Sequence, residues 1–292
     1  SPPSAGGVVL LQMLNMLERY DLKGRGQNSS ETIHLFAAAA QRAYADRSEF
    51  LGDPDFVSMP VSRLISKEYA LTRSESIDTL QAVASSSIPP ATSAELGHSN
   101  TTHFCVADSF GNIVSVTTTL NGLFGCKTVV GGAGFFLNNE MDDFSVKPGT
   151  PNMYGLTGAE ANAIAPTKRM LSSMTPTIVM KDSMPFLTLG GRGGSRITTA
   201  VANIIINVID FGLNVQDAVE SPRIHHQWLP DRIFYETNGL PLDVMENLKR
   251  KGYTLEHTTT FNARAHAIMF DPATRLFLGG ADPREEGVAI GY

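Results

Sequence analysis

The chain has 292 residues, is 42% hydrophobic and carries a net charge of −6, so it can bury the core of one large domain or of two smaller ones. Its densest basic clusters, residues 168–169 and 249–251, are not extended by further Lys or Arg, which excludes the basic footprint of a nucleic-acid-binding protein. The longest apolar run, residues 204–209, is far shorter than the roughly 20 residues of a membrane-spanning helix. Two cysteines are too few for a disulfide framework, and two buried thiols are favoured over a bridge.

The first 80 residues have helical periodicity. A first helix carries the apolar stripe Leu10, Leu14 and Leu17, and a second begins near the capping residues Ser29 and Ser30. A third helix is predicted to begin at Pro60. Residues 82–100 are rich in Ser, Ala, Pro and Thr, which predicts a flexible linker that contributes no core.

After residue 100 the pattern changes to β-branched and aromatic residues with turn signals, which predicts strands. An almost wholly apolar stretch, residues 197–208, predicts a buried helix, and residues 241–251 predict a surface helix. The predicted strands are 102–107 and 113–120, joined by a turn at 108–112, then 128–138, 177–181, 186–189, 263–270 and 276–278. Strands, helix and strands in this order predict an α+β layered sandwich.

Residues 146–167 form a long aperiodic segment that contains Gly, Pro and Asn. Loops of this length inside compact domains are often functional, so we expect a lid here.

The junction between Asn100 and Thr101 places a hydroxyl residue where the linker meets a strand. A Thr hydroxyl needs an adjacent base before it becomes a nucleophile. If the 100–101 bond is cut, the freed α-amino group, with a pKa near ~7.7–8 in model peptides, lies beside that hydroxyl and can accept its proton. Alone, the Thr-Thr pair proves nothing, because ordinary β-propensity explains it better.

A glycine-rich turn, residues 189–196, lies between a predicted strand and the buried helix. Backbone N–H groups at a helix N-terminus suit an oxyanion hole for acyl transfer. The turn lacks the Gly-Lys-Ser/Thr ending of a P-loop. A tight strand–helix connection is the alternative reading of the motif.

Two further motifs are polar. The acidic cluster at 138–145 can hold an ammonium group or bind a cation, but in isolation a cluster that faces solvent is the favoured reading. The hydroxyl pair in residues 168–176 can bind a carboxylate, but without further context a simple Ser-rich turn is the favoured reading. His103, His225 and His226 lack the spacing of zinc ligands, and residues 225–228 are predicted to make structural hydrogen bonds near the end of a short helix.

Together these motifs resemble the γ-glutamyltranspeptidases in order and rough spacing. The motifs that carry the resemblance are residues 2–7, 43–47, 51–54, 101–104, 137–145, 171–177, 193–197 and 223–228. The resemblance covers essentially the whole chain. It implies an Ntn-hydrolase αββα sandwich that we expect to be incomplete here. It also implies a precursor that cleaves itself into large and small subunits.

By the same resemblance, residues 1–100 correspond to the C-terminal part of the large subunit and residues 101–292 to the small subunit. Thr101 would be both the processing nucleophile, cutting after Asn100, and the residue that attacks the γ-amide of a donor such as glutathione. Water or an amino acid would resolve the γ-glutamyl ester. We expect the two subunits to remain a heterodimer in the periplasm or outside the cell, with no metal or organic cofactor.

The resemblance assigns the remaining roles residue by residue. Thr119 would orient Thr101, and the N–H groups of Gly193 and Gly194 would form the oxyanion hole. The residues expected to bind the donor are Asn121, Glu140 and Asp143 at its α-amino end, Ser172 and Ser173 at its α-carboxylate, and Tyr154 as the gate of the lid.

The arginine that pairs with the donor's α-carboxylate in the family is expected to lie upstream of this chain. Arg192, inside the glycine turn, is a candidate substitute for it. Three alternatives stay open: a cephalosporin (glutaryl) acylase, a poly-γ-glutamate depolymerase, and a truncated chain without activity.

Overall fold

The computed structural model describes residues 2–88, 101–258 and 261–291. The predicted cleavage residue Asn100 lies outside these ranges. The helices within them are α1 (Gly6–Leu17), α2 (Leu22–Arg25), α3 (Ser30–Phe50), α4 (Val61–Leu64), α5 (Lys67–Glu75), α6 (Arg196–Ile209), α7 (Val215–Glu220) and α8 (Leu242–Arg250). The strands are β1 (Thr101–Ala107), β2 (Ile113–Thr119), β3 (Thr177–Lys181), β4 (Met184–Arg192), β5 (Ile224–His225), β6 (Ile233–Tyr235), β7 (Leu255–His257), β8 (Arg264–Asp271) and β9 (Leu276–Ala281).

The central layer is a four-stranded antiparallel sheet in the order β3-β4-β8-β9. Successive side chains of a strand point to opposite faces. One face of β4 therefore carries Leu187 and Leu189, both fully buried, toward the helical layer. Helix α6 packs along β4 and β8, and α7 packs against β8 and β9. The sheet thus separates a helical layer from the layer that carries Thr101.

That third layer is the antiparallel hairpin of β1 and β2, which stacks on β4 and β8. Small groups let the two layers approach closely. The Ser115 hydroxyl donates to the Leu189 carbonyl oxygen at 3.1 Å. A Cβ added at Gly190 would lie 2.3 Å from Cε1 of His103, so only glycine fits there.

The helical layer is built around α1 and α3, which pack on each other, while α1 also packs on α6. Helix α3 begins as predicted, with the Ser29 side chain accepting a hydrogen bond from the Thr32 N–H at 3.1 Å. Its run of alanines, residues 37–40, is buried and lets neighbouring helices approach closely. A small sheet, β5-β6-β7, lies beside this layer.

The predicted α+β class is confirmed, and the described residues contain a helical layer and two stacked sheets. The outer face of the hairpin carries exposed apolar side chains, with Phe104 46%, Val106 51% and Val114 48% exposed. No helix in the described ranges covers that face.

Three local predictions were wrong. Residues 128–138 are not one strand: the chain reverses at glycines 131, 132 and 134, leaving one bridge between Val129 and Phe136. His225 is the last residue of strand β5, and residues 226–228 follow that strand and not a helix. Pro60 is the residue before α4, not its first helical residue.

Two predictions about burial were also wrong. Within the predicted linker 82–100, residues 82–88 contribute to the core, because Ser85 and Ile88 are buried and the Trp228 indole N–H donates to both of their carbonyl oxygens, at 3.0 and 3.1 Å. Residues 89–100 lie outside the described residues. The cysteines are both free, as favoured, but Cys126 is exposed and Cys105 only half-buried. Cys126 follows a tight turn at Gly125, which keeps its side chain at the surface.

Candidate active site

Thr101 is the first residue of β1 and lies opposite Thr119, the last residue of β2. The hairpin register therefore brings the two side chains to the same face, where the Thr101 hydroxyl donates to the Thr119 hydroxyl oxygen at 3.0 Å. The same Thr119 oxygen accepts the Asn121 N–H at 2.8 Å. Thr101 is buried, with 6% of its surface exposed, so its hydroxyl is held in a defined position.

Most of the predicted site residues surround one cavity next to Thr101. The residues that line it are Thr101, Thr119, Asn121, Asp143, Tyr154, Ser172, Ser173, Met174, Gly194 and Ile197. Glu140 lies three residues before Asp143 in the chain and Gly193 immediately precedes Gly194, but neither lines the cavity. Asn100 lies outside the described residues. The structure thus brings eight separately predicted side chains and backbone positions to one place, although their roles stay predictions.

Asp143 is the acidic residue that lines the cavity. It lies in a short 3-10 helix, Glu140–Asp143. Burial, and then the neighbouring Glu140, raise the pKa of Asp143 to about 8, while Arg47 acts in the opposite direction. Burial also raises the pKa of Glu140. A cationic group entering the cavity would stabilise the ionised form of Asp143, which suits an ammonium site.

Ser172 and Ser173 lie across the cavity and are fixed by the N-terminal residues of the chain. The Ser172 N–H donates to the Pro3 carbonyl oxygen at 3.1 Å, and the Ala5 N–H donates to the Ser172 carbonyl oxygen at 2.8 Å. The Ser172 hydroxyl oxygen accepts the Met174 N–H at 3.1 Å. Ser4 and Ser172 therefore form a short parallel β-bridge, through which residues 3–5 fix the position of the segment that carries Ser172 and Ser173.

The predicted oxyanion turn lies between β4 and the N-terminus of α6. The N–H groups of Gly193 and Gly194 donate to no other backbone group in the described ranges. Gly194 has a φ of +58°, and a Cβ added there would lie 2.6 Å from Cε1 of Tyr154. Glycine is therefore required at 194 both by the backbone conformation and by the ring that packs on it.

Tyr154 belongs to the predicted lid segment and is buried, with 6% of its surface exposed. Its hydroxyl donates to the Asn121 side-chain oxygen. Its carbonyl oxygen accepts the Gln227 side-chain N–H at 2.8 Å. Gln227 was not predicted as a site residue, and its place in the His-His-Gln-Trp motif was the only signal that pointed to it.

Arg192 forms an ion pair with Glu285, with Nε and Oε2 2.6 Å apart, and does not line the cavity. The structure therefore gives no support to Arg192 as a substitute for the family's carboxylate-binding arginine.

His103 and His225 have structural partners. His103 Nδ1 lies 2.9 Å from the Thr117 hydroxyl, and burial lowers the pKa of His103 to about 4. His225 Nε2 lies 2.8 Å from the Gln227 side-chain oxygen. In the part of the chain that the structure describes, no group of three His, Cys, Asp or Glu is arranged to hold a metal ion. Nor is any helix there long and apolar enough to cross a membrane.

Known proteins share both the sequence pattern and the fold of this chain. The profile of the Gamma-glutamyltranspeptidase family matches residues 1–292. A glutathione hydrolase proenzyme of Escherichia coli is 47% identical over 292 residues, which are all of this chain and 50% of that protein. The chain therefore spans about half the length of the curated relatives that it matches.

Solved structures agree on the fold. Cephalosporin acylase from Bacillus halodurans superposes with a TM-score of 0.84 at 27% identity, over 100% of this chain and 51% of that chain. Gamma-glutamyltranspeptidase from Pseudomonas nitroreducens complexed with L-DON superposes with a TM-score of 0.63 at 47% identity, over 65% of this chain and 99% of that chain. Fold, sequence and the order of the site motifs agree, and the chain belongs to the γ-glutamyltranspeptidase family.

Proposed function

We propose that this chain carries the catalytic centre of a self-processing γ-glutamyl hydrolase or transpeptidase, with Thr101 as its nucleophile. The observation that carries the proposal is the Thr101–Thr119 hydrogen bond at the rim of the cavity shared by Asp143, Ser172, Ser173 and Gly194. A buried hydroxyl held by a second hydroxyl, beside two glycine N–H groups that donate to no other backbone group in the described residues, has the arrangement that acyl transfer needs.

Processing would begin when the Thr101 hydroxyl oxygen attacks the carbonyl carbon of Asn100. The C–N bond between the two residues breaks, and an ester forms between the Asn100 carbonyl carbon and the Thr101 oxygen. The nitrogen keeps its own hydrogen and takes up the proton that the hydroxyl loses, and so becomes the α-amino group of Thr101. Water then hydrolyses the ester. Residues 1–100 and 101–292 would be the resulting large-subunit and small-subunit pieces.

Turnover would use the same oxygen. The freed α-amino group accepts the hydroxyl proton as the oxygen attacks the γ-carbonyl carbon of the donor. The N–H groups of Gly193 and Gly194 would hold the oxyanion, and the proton would then pass to the leaving amine. The γ-glutamyl-Thr101 ester would be resolved by water in hydrolysis or by an amino acid in transpeptidation.

The donor would be recognised at its amino-acid end. Asp143, with Asn121 and Glu140 beside it, would bind the α-ammonium group, and Ser172 and Ser173 would bind the α-carboxylate. Tyr154 would close the site from above. A glutaryl donor lacks the ammonium group, so the buried Asp143 favours γ-glutamyl compounds such as glutathione over the donors of cephalosporin acylases.

The test compares the purified protein with Thr101→Ala and with a control, Thr102→Ala, whose side chain is exposed on the opposite face of β1. Intact mass under denaturing conditions reports cleavage, and release of p-nitroaniline from γ-glutamyl- and glutaryl-p-nitroanilide reports turnover. We expect the parent and Thr102→Ala to be cut after Asn100 and to prefer the γ-glutamyl donor, and Thr101→Ala to remain whole. A parent that stays whole and releases nothing contradicts the proposal.

A further inference from the structure

The hydroxyl oxygens of Ser172 and Ser173 at the cavity each accept a hydrogen bond, which determines where their hydrogens point. The Ser172 oxygen accepts the Met174 N–H at 3.1 Å, and the Ser173 oxygen accepts an N–H of the Arg47 guanidinium at 3.2 Å. A hydroxyl has one donor hydrogen, which turns away from a group that is already donating to its oxygen. Neither hydroxyl donates to an acceptor within the described residues. Both hydrogens are therefore available to an anion in the cavity.

Arg47 is an unusual donor for this task because it is almost completely buried in α3, with 5% of its surface exposed. Its Nε atom has no hydrogen-bond partner. Guanidinium groups stay charged in proteins, and a buried charge is stable only when it is paired. The Arg47 side chain therefore places an incompletely satisfied positive charge directly behind Ser173.

The acid that faces Arg47 is a weak counterion. Burial lowers the pKa of Arg47, whereas Tyr44 and Asp143 act in the opposite direction. Because the pKa of Asp143 is raised to about 8, that residue is largely neutral at pH 7 in the empty cavity. An arriving carboxylate would supply the missing negative charge, and an arriving ammonium would ionise Asp143.

We propose that Arg47 is a positioning residue for the α-carboxylate of the donor: it aims the Ser173 hydroxyl into the cavity and supplies the positive charge behind it. This inference rests on the proposed function. It differs from the expected roles of Arg192, which is paired with Glu285, and of an arginine outside this chain.

The test measures kcat and KM for two donors that differ only in the α-carboxylate, γ-glutamyl-p-nitroanilide and 4-aminobutanoyl-p-nitroanilide. We expect Arg47→Gln to raise the KM of the γ-glutamyl donor by about tenfold or more, as for loss of a charge-assisted hydrogen bond. The KM of the 4-aminobutanoyl donor should change by less than about twofold, since that donor lacks the group that Arg47 serves. Arg47→Lys should recover part of the loss.

A double-mutant cycle tests the route of the effect. In a Ser173→Ala background, Arg47→Gln should cost less than it does in the parent, because the hydroxyl that Arg47 aims is gone. The control is Arg42→Gln, which removes a buried arginine from the same helix whose partners are Ser76 and Ala38. It should lower stability and leave the ratio of the two KM values unchanged.

Folding and processing do not obscure the result, because a partly unfolded sample lowers kcat for both donors and leaves the KM ratio intact. If Arg47→Gln does not fold, Arg47→Lys carries the same comparison. Calorimetric binding of L-glutamate against 4-aminobutanoate gives a readout that needs no cleavage. Equal changes for both ligands, or none, overturn the inference while the parent stays active. A parent that neither turns over nor binds either ligand overturns the proposed function as well.

Discussion

The Thr119 hydroxyl oxygen accepts two hydrogen bonds at once, from the Thr101 hydroxyl at 3.0 Å and from the Asn121 N–H at 2.8 Å. Thr101, the proposed nucleophile, is thereby linked through Thr119 to Asn121, whose side chain contacts both Asn139 and Tyr154. Thr119 couples the position of Thr101 to the wall of the cavity.

Replacing Thr119 with Val keeps the shape of the side chain and removes this acceptor. Two donors then lose their partner, and an unmet buried donor costs about 1–3 kcal/mol. We expect self-cleavage and kcat/KM to fall by about 10- to 100-fold, measured by intact mass and by donor hydrolysis. Thr118→Val, exposed on the other face of β2, should behave as the parent. Equal rates for Thr119→Val and the parent would contradict this role.

Gly194→Ala is expected to damage the site for two separable reasons. The φ of +58° costs an L-residue about 1–2 kcal/mol, and the new Cβ would overlap the Tyr154 ring. Gly212→Ala is the matched control, since it has a φ of +70° and no atom within 4 Å of its added Cβ. Chemical denaturation should show a larger loss of unfolding free energy at 194. Only Gly194→Ala should lower kcat/KM, and an equal effect of both variants would argue against the Tyr154 contact.

Ligand binding should depend on pH through Asp143. Its pKa of about 8 in the empty protein means that an ammonium ligand must displace a proton below that pH. Affinity for L-glutamate, measured by calorimetry, should therefore rise with pH by at most about tenfold per unit and level off above pH 8. The charged groups that surround Asp143 are Glu140, Asp142 and Arg47.

Two controls isolate this effect. Asp143→Asn should bind L-glutamate weakly, with little dependence on pH over the same range. Glutarate, which lacks the ammonium group, should bind the parent less tightly as pH rises, because it meets a growing negative charge. An affinity for L-glutamate that is flat from pH 6 to 8 would show that Asp143 is already ionised.

The two cysteines should differ in reactivity. Cys126 is exposed, and a hydrogen bond from Thr128 lowers its pKa, whereas burial raises the pKa of Cys105. Because the thiolate is the reactive form, iodoacetamide at neutral pH should alkylate Cys126 about tenfold faster or more, as followed by peptide mass. Cys126→Ser should lose the fast phase. A protein that reacts only after reduction would contain a disulfide instead.

Features with local causes could be predicted from the sequence. The cap at Ser29, the hairpin that begins at Thr101 and the glycine turn at 194 each follow from residue types within a few positions. The convergence of the site residues on one cavity was predicted only through the family resemblance, since no local pattern relates Ser172 to Asp143. Long-range packing decides such distances.

Some of the predictions that were wrong also failed because of contacts between residues that are distant in sequence. Residues 82–88 have the composition of a linker, but Trp228, distant in sequence, supplies hydrogen bonds and apolar contact that order them. Residues 128–138 have β-propensity, but three closely spaced glycines permit a reversal that the propensity of single residues does not reveal. Arg47 was noted only as part of the family motif at residues 43–47. No local pattern indicated its contact with Ser173, because the two residues lie 126 positions apart in the chain.

The bridge between residues 3–5 and Ser172 has one more consequence. It joins the two sides of the proposed cleavage point, so a nick at residue 100 would divide the chain without dividing the site. Each piece alone would lack half of the backbone pairing that shapes the serine segment. The pieces would then behave as complementing fragments, inactive when separated and competent when recombined, and the mature protein would be an obligate two-chain assembly.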